Sequence, residues 1–200
     1  MYCANNSVNN IDPNGNRHVA VHEFSGGVPV TTLQIANRSS EQIHGVINGQ
    51  GVLPYSDTRL ILGTYGASGC AYIATYNAMQ LIGKPLSLSS VTSDVFWYGS
   101  VALGAGGAGP WGTAAYFRKH GVDYTGSFSA DILTANIQEG SVITFTVMYS
   151  TGWHAMTALY RNGKYLVFNR YDNSTRTERY NSLTEVCSNG LWIYGFRIDP

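Results

Sequence analysis

The spacing of hydrophobic positions changes along the chain, from a helical pattern in the middle to an alternating pattern near the end. Between residues 71 and 81 apolar side chains fill most positions, and Gly83-Lys84-Pro85 follows. A dense apolar run closed by Gly and Pro predicts a buried helix. Three further helices are predicted, from Ser87 or Ser89 to Trp97, from Pro110 to His120, and from Ser127 or Ser129 to Gly140.

Strand patterns follow the helices. They cover residues 141–149, 154–160, 165–169 and 191–198. Asn162-Gly163 separates the second from the third and is the strongest short-range signal of a β-hairpin. Helices first and antiparallel strands afterwards predict an α+β fold.

The composition of the chain argues against several classes of function. The 200 residues are 44% hydrophobic and only 12% charged, and Lys+Arg equals Asp+Glu at 12 each. A net charge of zero argues against a nucleic-acid partner. The apolar runs are too short and too broken to predict a membrane span. His18 and His22-Glu23 lack a third ligand at a zinc spacing, so we predict no metal and no other cofactor.

Three cysteines at wide spacing fit neither a disulfide framework nor a zinc site. Cys3 and Cys187 are interpreted as structural, whereas Cys70 stands where the Gly-rich loop 63–69 meets the predicted helix. The start of a helix carries unpaired N–H groups and a partial positive charge, which lower a thiol pKa and can bind an oxyanion. Cys70 is therefore the candidate nucleophile, although a free Cys is more often a small buried hydrophobe.

A nucleophilic thiol needs a base. His154 follows Gly152-Trp153 and begins an apolar strand, from which an imidazole can reach into a cleft and take the thiol proton. The alternative is a structural histidine at a strand edge. Asn169 ends the next strand, and the hairpin brings it back beside His154, where an amide oxygen can orient the imidazole. Asp172 competes with Asn169 for this role.

The order of these elements resembles the papain-like cysteine peptidase fold. Cys70 precedes His154 by 84 residues, which is similar to the compact bacterial branch that includes the double-glycine leader peptidases, over about residues 60–198. The resemblance implies that Cys70 is the nucleophile, His154 the base and Asn169 the orienting residue. These enzymes usually carry a Gln about six residues before the Cys, as an oxyanion donor.

Thr64 stands at that position in this chain. The candidate oxyanion donors are therefore Thr64, Ser68 or backbone N–H groups. The Gly-rich segment 103–112 is interpreted as a wall of the substrate cleft, or as a plain linker between helices. Three residues are candidate cleft contacts: Gly69, Trp111 and Trp153.

The first residues carry a second resemblance. Their Asn-, Asp-, Pro- and Gly-rich turns resemble the closing motif of the Rhs/YD-repeat core, with Ser7 where that family usually has Pro. The matching residues are Tyr2, Asn5, Asn6, Val8, Asp12, Pro13 and Gly15. The resemblance implies that residues 1–16 end such a core, residues 17–62 form a linker with short strands, and residues 63–200 form a papain-like catalytic domain.

Together the two resemblances imply the C-terminal effector or toxin domain of a larger exported or cell-surface protein, acting in the cytoplasm of a target cell. We expect a cysteine peptidase that hydrolyses peptide or isopeptide bonds, with a protein or peptide substrate and a cognate immunity protein. Two alternatives stay open. One is a glutamine deamidase or transglutaminase-type acyl transferase, which would use the same residues. The other is a papain-like binding module without activity.

Overall fold

The computed structural model describes residues 21–25, 28–32, 43, 45–187 and 189–200. The motif that resembles an Rhs core, Cys3 and His18 lie outside these residues, so what is expected of them stays a prediction. The domain boundaries after residues 16 and 62 stay predictions too.

The described chain contains mixed helix and antiparallel sheet. The helices are α1 Tyr65–Ser68, α2 Cys70–Leu81, α3 Leu88–Gly99, α4 Pro110–Lys119, α5 Ala130–Thr134 and α6 Leu183–Val186, with a 3₁₀ turn at Ala102–Gly104. The strands are β1 Val21–Ser25, β2 Val28–Thr32, β3 Thr125–Ser127, β4 Val142–Tyr149, β5 Gly152–Arg161, β6 Lys164–Phe168, β7 Glu178–Tyr180 and β8 Leu191–Ile198. No helix among the described residues has the length and apolar character needed to cross a membrane.

The first three predicted helices are confirmed to within two residues. Nearly all of α2 is buried, and the helix ends before Gly83, whose φ is +72°. The hydroxyl of Ser87 caps α3 by accepting from the backbone N–H of Ser90 at 3.1 Å. Pro110 occupies the first turn of α4, where its missing N–H costs nothing.

The fourth predicted helix was wrong beyond Thr134. Residues 125–127 form the short strand β3 instead, and α5 has five residues. Asn136 adopts a φ of +51°, the left-handed conformation that commonly ends helices. The segment that follows α5 therefore turns directly into β4.

Six strands form one antiparallel sheet in the order β3-β8-β4-β5-β6-β7. The hairpin between β5 and β6 is confirmed: Asn162 and Gly163 have φ values of +51° and +69°, as a type I′ turn requires. Alternate side chains of the central strands point to opposite faces of the sheet and pack into two separate hydrophobic cores. Val142, Leu159 and Leu166 belong to the core that contains α2–α4, whereas Ile143 and Met156 belong to a second core on the opposite face.

Helix α2 lies against the centre of this sheet. The hydroxyl of Thr157 on β5 donates to the carbonyl oxygen of Ala74 at 2.8 Å. On its other side, the amide of Asn77 accepts from Ile47 N at 2.7 Å and donates to Ile47 O at 2.8 Å. Residues before the Gly-rich loop therefore pack into the same core as α2.

Candidate active site

Cys70 is the first residue of the buried helix α2, as the sequence predicts. Gly69 separates it from the short helix α1, and a Cβ on Gly69 would lie 2.5 Å from Tyr65 Cα and Tyr65 O. Only glycine fits this junction. Cys70 is 7% exposed and stands at the N-terminal end of α2.

The sulfur of Cys70 is oxidised in this structure, because the residue is disulfide-bonded. Cys187 is a free thiol. A disulfide sulfur is not a nucleophile, and any thiol chemistry at Cys70 requires reduction first.

The hydroxyls of Thr64 and Ser68 have structural partners. Thr64 Oγ1 caps α1 by accepting from Ala67 N at 3.2 Å. Ser68 is buried, and its hydroxyl donates to the carbonyl oxygen of Gly104 at 2.8 Å. Both side chains hold the loop before Cys70 in place. Ser68 donates its hydroxyl proton to Gly104, whereas Thr64 acts as an acceptor in its bond to Ala67.

His154 lies in β5 and is 7% exposed. Its Nε2 is 2.5 Å from the backbone carbonyl oxygen of Asn169. A carbonyl oxygen can only accept, so Nε2 carries the proton and the lone pair of the neutral ring is on Nδ1. Nδ1 lies 3.7 Å from a carboxylate oxygen of Asp172. Both side chains that competed for the orienting role are thus near His154, but Asn169 contacts the ring through its backbone.

Burial dominates the electrostatics of this pair. Desolvation lowers the pKa of His154 below its usual 6.5, opposed by the negative charge of Asp172 and by the bond to Asn169 O. Desolvation also raises the pKa of Asp172 above its usual 3.8, opposed by His154. At neutral pH His154 is therefore the uncharged base that proton abstraction needs.

One residue of this site, Gln50, is not among the residues predicted from the sequence. Gln50 is fully buried, and its Nε2 donates to Gly66 O at 3.2 Å in the loop before Cys70. Its Oε1 accepts from Asn169 Nδ2 at 3.0 Å. Gln50 precedes Cys70 by 20 residues and stands in a Gly-rich turn, so no local pattern marks it. The rarity of a fully buried Gln becomes informative only once burial is known.

The first turns of α2 lie against the beginning of β5. Cys70, Ala71 and Ala74 form one contact cluster with Ala155, the residue after His154. A small cleft of about 20 Å³ opens beside this cluster. The lining residues are Ala71, Ala74, Ala108, Gly109, Pro110, Thr113, Thr144, Phe145, Thr146, Ala155, Tyr194 and Phe196.

The Gly-rich segment 103–112 lies beside the Cys70 loop. Tyr72 OH donates to Gly107 O at 3.3 Å, and Leu62 N donates to Leu103 O at 3.1 Å. Trp111 and Trp153 are 57% and 45% exposed and do not line the cleft itself. Within residues 45–187 and 189–200, no group of three or more His, Cys, Asp or Glu side chains is placed to hold a metal ion.

Comparisons with known proteins add one structural similarity. No family model matches the chain, and no curated protein matches it. Among solved structures, the chain is similar to the peptidase domain of Streptococcus ComA, a bifunctional ABC transporter involved in a quorum-sensing pathway. The similarity has 12% sequence identity and a TM-score of 0.48, and it covers 66% of this chain and 91% of the other.

Proposed function

We propose that this chain is a cysteine hydrolase that cleaves peptide or isopeptide bonds, with reduced Cys70 as nucleophile and His154 as general base. The observation that carries the proposal is the tautomer and the neutral charge of His154. Its Nε2–H is fixed on Asn169 O, so the basic nitrogen is Nδ1, and burial keeps the ring neutral. His154 lies in β5, and the residue after it, Ala155, contacts the helix that begins with Cys70.

The reaction has two halves. In the first, His154 Nδ1 takes the thiol proton of Cys70, the sulfur attacks the carbonyl carbon, and the imidazolium then protonates the leaving amine as a thioester forms. In the second, His154 takes a proton from water, the hydroxide attacks the thioester, and the acid is released with the thiol restored. Asp172 stabilises the imidazolium present in both halves, because its carboxylate lies 3.7 Å from Nδ1.

Negative charge on the substrate oxygen is stabilised by backbone donors. The N–H groups of the first turn of α2 point toward the end of the helix at which Cys70 stands, and the helix dipole favours an anion there. Gly69 allows the close approach that such donors require. The cleft beside Ala71 and Ala155 is the proposed contact point for one small group of the substrate, because its volume of about 20 Å³ holds little more than a water molecule.

The delivery context is part of the proposal. The resemblance of residues 1–16 to the end of an Rhs core supports a toxin domain carried by a larger protein and blocked by an immunity protein. A reducing target cytoplasm fits a nucleophile that is disulfide-bonded in this structure. Glutamine deamidation or acyl transfer uses the same thioester and remains the second candidate, since the same Cys and His serve it.

Growth of a bacterial host tests the proposal. The 200-residue chain is expressed in the cytoplasm beside Cys70→Ala, His154→Ala and the control Cys187→Ala, at matched levels. We expect arrest with the wild type and the Cys187 variant, and growth with the other two. New protein N-termini in arrested cells identify hydrolysis, and conversion of Gln to Glu identifies deamidation. Equal growth of all four strains contradicts the toxin role.

Thiol reactivity separates an inert module from an enzyme without a substrate in that host. Reduced protein is treated with iodoacetamide across a pH series, and each alkylated cysteine is located by peptide mass spectrometry. A catalytic Cys70 reacts well below pH 8. Burial raises the pKa of Cys187 to about 11, so this residue is the unreactive internal reference. If Cys70 is as slow as Cys187, the site is not catalytic.

A further inference from the structure

One buried amide contacts both halves of the candidate site. Gln50 Nε2 donates to Gly66 O at 3.2 Å, four residues before Cys70, and Gln50 Oε1 accepts from Asn169 Nδ2 at 3.0 Å. We propose that Gln50 is a positioning residue that holds the Asn169 carbonyl, and through it the imidazole of His154, in register with Cys70. The inference deepens the proposed function and rests on it for its catalytic consequence.

Gln50 and Asn169 are joined twice. Besides the side-chain bond, the backbone N–H of Gln50 donates to Asn169 Oδ1 at 3.2 Å. Both ends of the Asn169 amide are therefore used by Gln50, and neither orients His154 directly. Asn169 also has a φ of +55°, a left-handed conformation that a residue other than glycine keeps only when its surroundings hold it.

Neighbouring residues extend this connection, and we call residues 48–51 the strap. Asn48 Oδ1 accepts from Asn169 N at 2.6 Å, and Gly51 N donates to Asp172 O at 2.7 Å. The strap thus fixes the loop at Asn169, which binds Nε2 of His154, and at Asp172, whose carboxylate lies near Nδ1. Gln50 is the strap residue whose side chain also reaches the loop before Cys70.

The chemistry of this position requires an amide. The side chain must donate to one buried group, Gly66 O, and accept from another, Asn169 Nδ2, and the amide of Gln50 does both through two separate atoms. Methionine has a similar length but makes neither bond. Glutamate keeps the acceptor and loses the donor. In both variants a buried polar group loses its partner, which disfavours the observed arrangement of the loop.

The test compares Gln50→Met and Gln50→Glu with Asn77→Leu. Asn77 is the matched control because it is also a fully buried amide that anchors the same segment, at Ile47, without contacting Asn169. Three quantities are measured in the reduced full chain: thermal stability, the tautomer and pKa of His154 by nitrogen-15 NMR of the imidazole, and the pH–rate profile of Cys70 alkylation.

We expect all three variants to be less stable, but only the Gln50 variants to change His154. The wild type and Asn77→Leu should show a single Nε2–H tautomer. Gln50→Met should show a mixture of tautomers, a His154 pKa closer to 6.5 as the ring becomes more hydrated, and a pH–rate profile of Cys70 alkylation that differs from that of the wild type. If Gln50→Met does not fold, Gln50→Glu provides the same comparison.

An unchanged tautomer, pKa and alkylation profile in a folded Gln50 variant would overturn the inference and leave Gln50 a purely structural residue. The NMR result does not require a substrate. If the Gln50 variants change the His154 tautomer but the wild type has no hydrolase activity, the positioning role is supported and the proposed function fails. If the wild type is a hydrolase and the Gln50 variants leave His154 and the alkylation of Cys70 unchanged, the positioning role fails and the proposed function stands.

Discussion

His154 is held by the backbone of Asn169 and not by its side chain: Nε2 of the imidazole lies 2.5 Å from the Asn169 carbonyl oxygen. This contact fixes the tautomer without a carboxylate and directs the basic Nδ1 away from Asn169. The charge that can stabilise an imidazolium comes from Asp172, 3.7 Å from Nδ1. In the proposed mechanism, the two functions of a third triad residue, orientation and charge, are therefore divided between two residues.

Replacement of Asp172 by Asn tests this division. Desolvation lowers the His154 pKa and Asp172 raises it, so removing the carboxylate should lower that pKa further. The acid limb of kcat/KM, which rises with pH as His154 loses its proton, should move to lower pH. We expect kcat to fall about tenfold, the equivalent of one pKa unit of lost imidazolium stabilisation. Measurement of kcat and kcat/KM between pH 4 and pH 8 checks both effects.

A shift of that acid limb to higher pH would contradict the assignment of Asp172, because it would mean that the carboxylate does not stabilise the charged ring. Asp94→Asn is a suitable control. Asp94 pairs with Lys119 at 2.7 Å on the helical side of the fold, and its loss should leave the profile unchanged.

Reduction of the disulfide at Cys70 should be required for the proposed activity. Because Cys70 is disulfide-bonded in this structure, protein prepared without reductant should neither cleave substrate nor incorporate iodoacetamide at Cys70. A phosphine reductant should restore both, and the two activities should recover with the same time course. Activity measured against reductant concentration, with Cys70 alkylation followed by mass spectrometry in the same samples, tests the expectation. Full activity in the oxidised sample would exclude Cys70 as the nucleophile.

The junction between α1 and α2 should tolerate no side chain. A Cβ at position 69 would lie 2.5 Å from both Tyr65 Cα and Tyr65 O, and backbone atoms cannot move aside cheaply. Gly69→Ala should destabilise the fold by about 1–3 kcal/mol, the usual cost of overpacking. It should also lower kcat, because the start of α2 is displaced. Urea unfolding and kinetics on the folded fraction measure the two effects, and a variant of unchanged stability would show that the junction relaxes.

Particular residues show how far the sequence alone leads. The dense apolar run at 71–81 predicts α2, and Asn162-Gly163 predicts the hairpin, because both signals are local. Their combination places Cys70 and His154 on elements in contact. Gln50 could not be predicted, since its bonds to Asn169 connect residues 119 positions apart. The backbone contact of Asn169 with His154 spans only 15 residues, but it accompanies a left-handed conformation of Asn169 that the strand pattern does not reveal. The predicted helix beyond Thr134 fails for a related reason: Asn136 adopts a left-handed conformation that the apolar pattern does not reveal.

Filling the cleft should impair substrate binding without impairing the thiol. Ala108 lines the cleft together with Ala155, whereas Ala105 lies in the same Gly-rich segment but does not line the cleft. Ala108→Leu should therefore raise KM and lower kcat/KM by about tenfold, the usual effect of one or two misfitting methylene groups in a pocket. Ala105→Leu should leave both constants unchanged. Iodoacetamide is small enough to reach Cys70 in either variant, so alkylation rates should equal the wild-type rate. If Ala108→Leu cleaves peptides normally, the substrate occupies a different surface, and the exposed face around Trp153 would be the next region to examine by substitution.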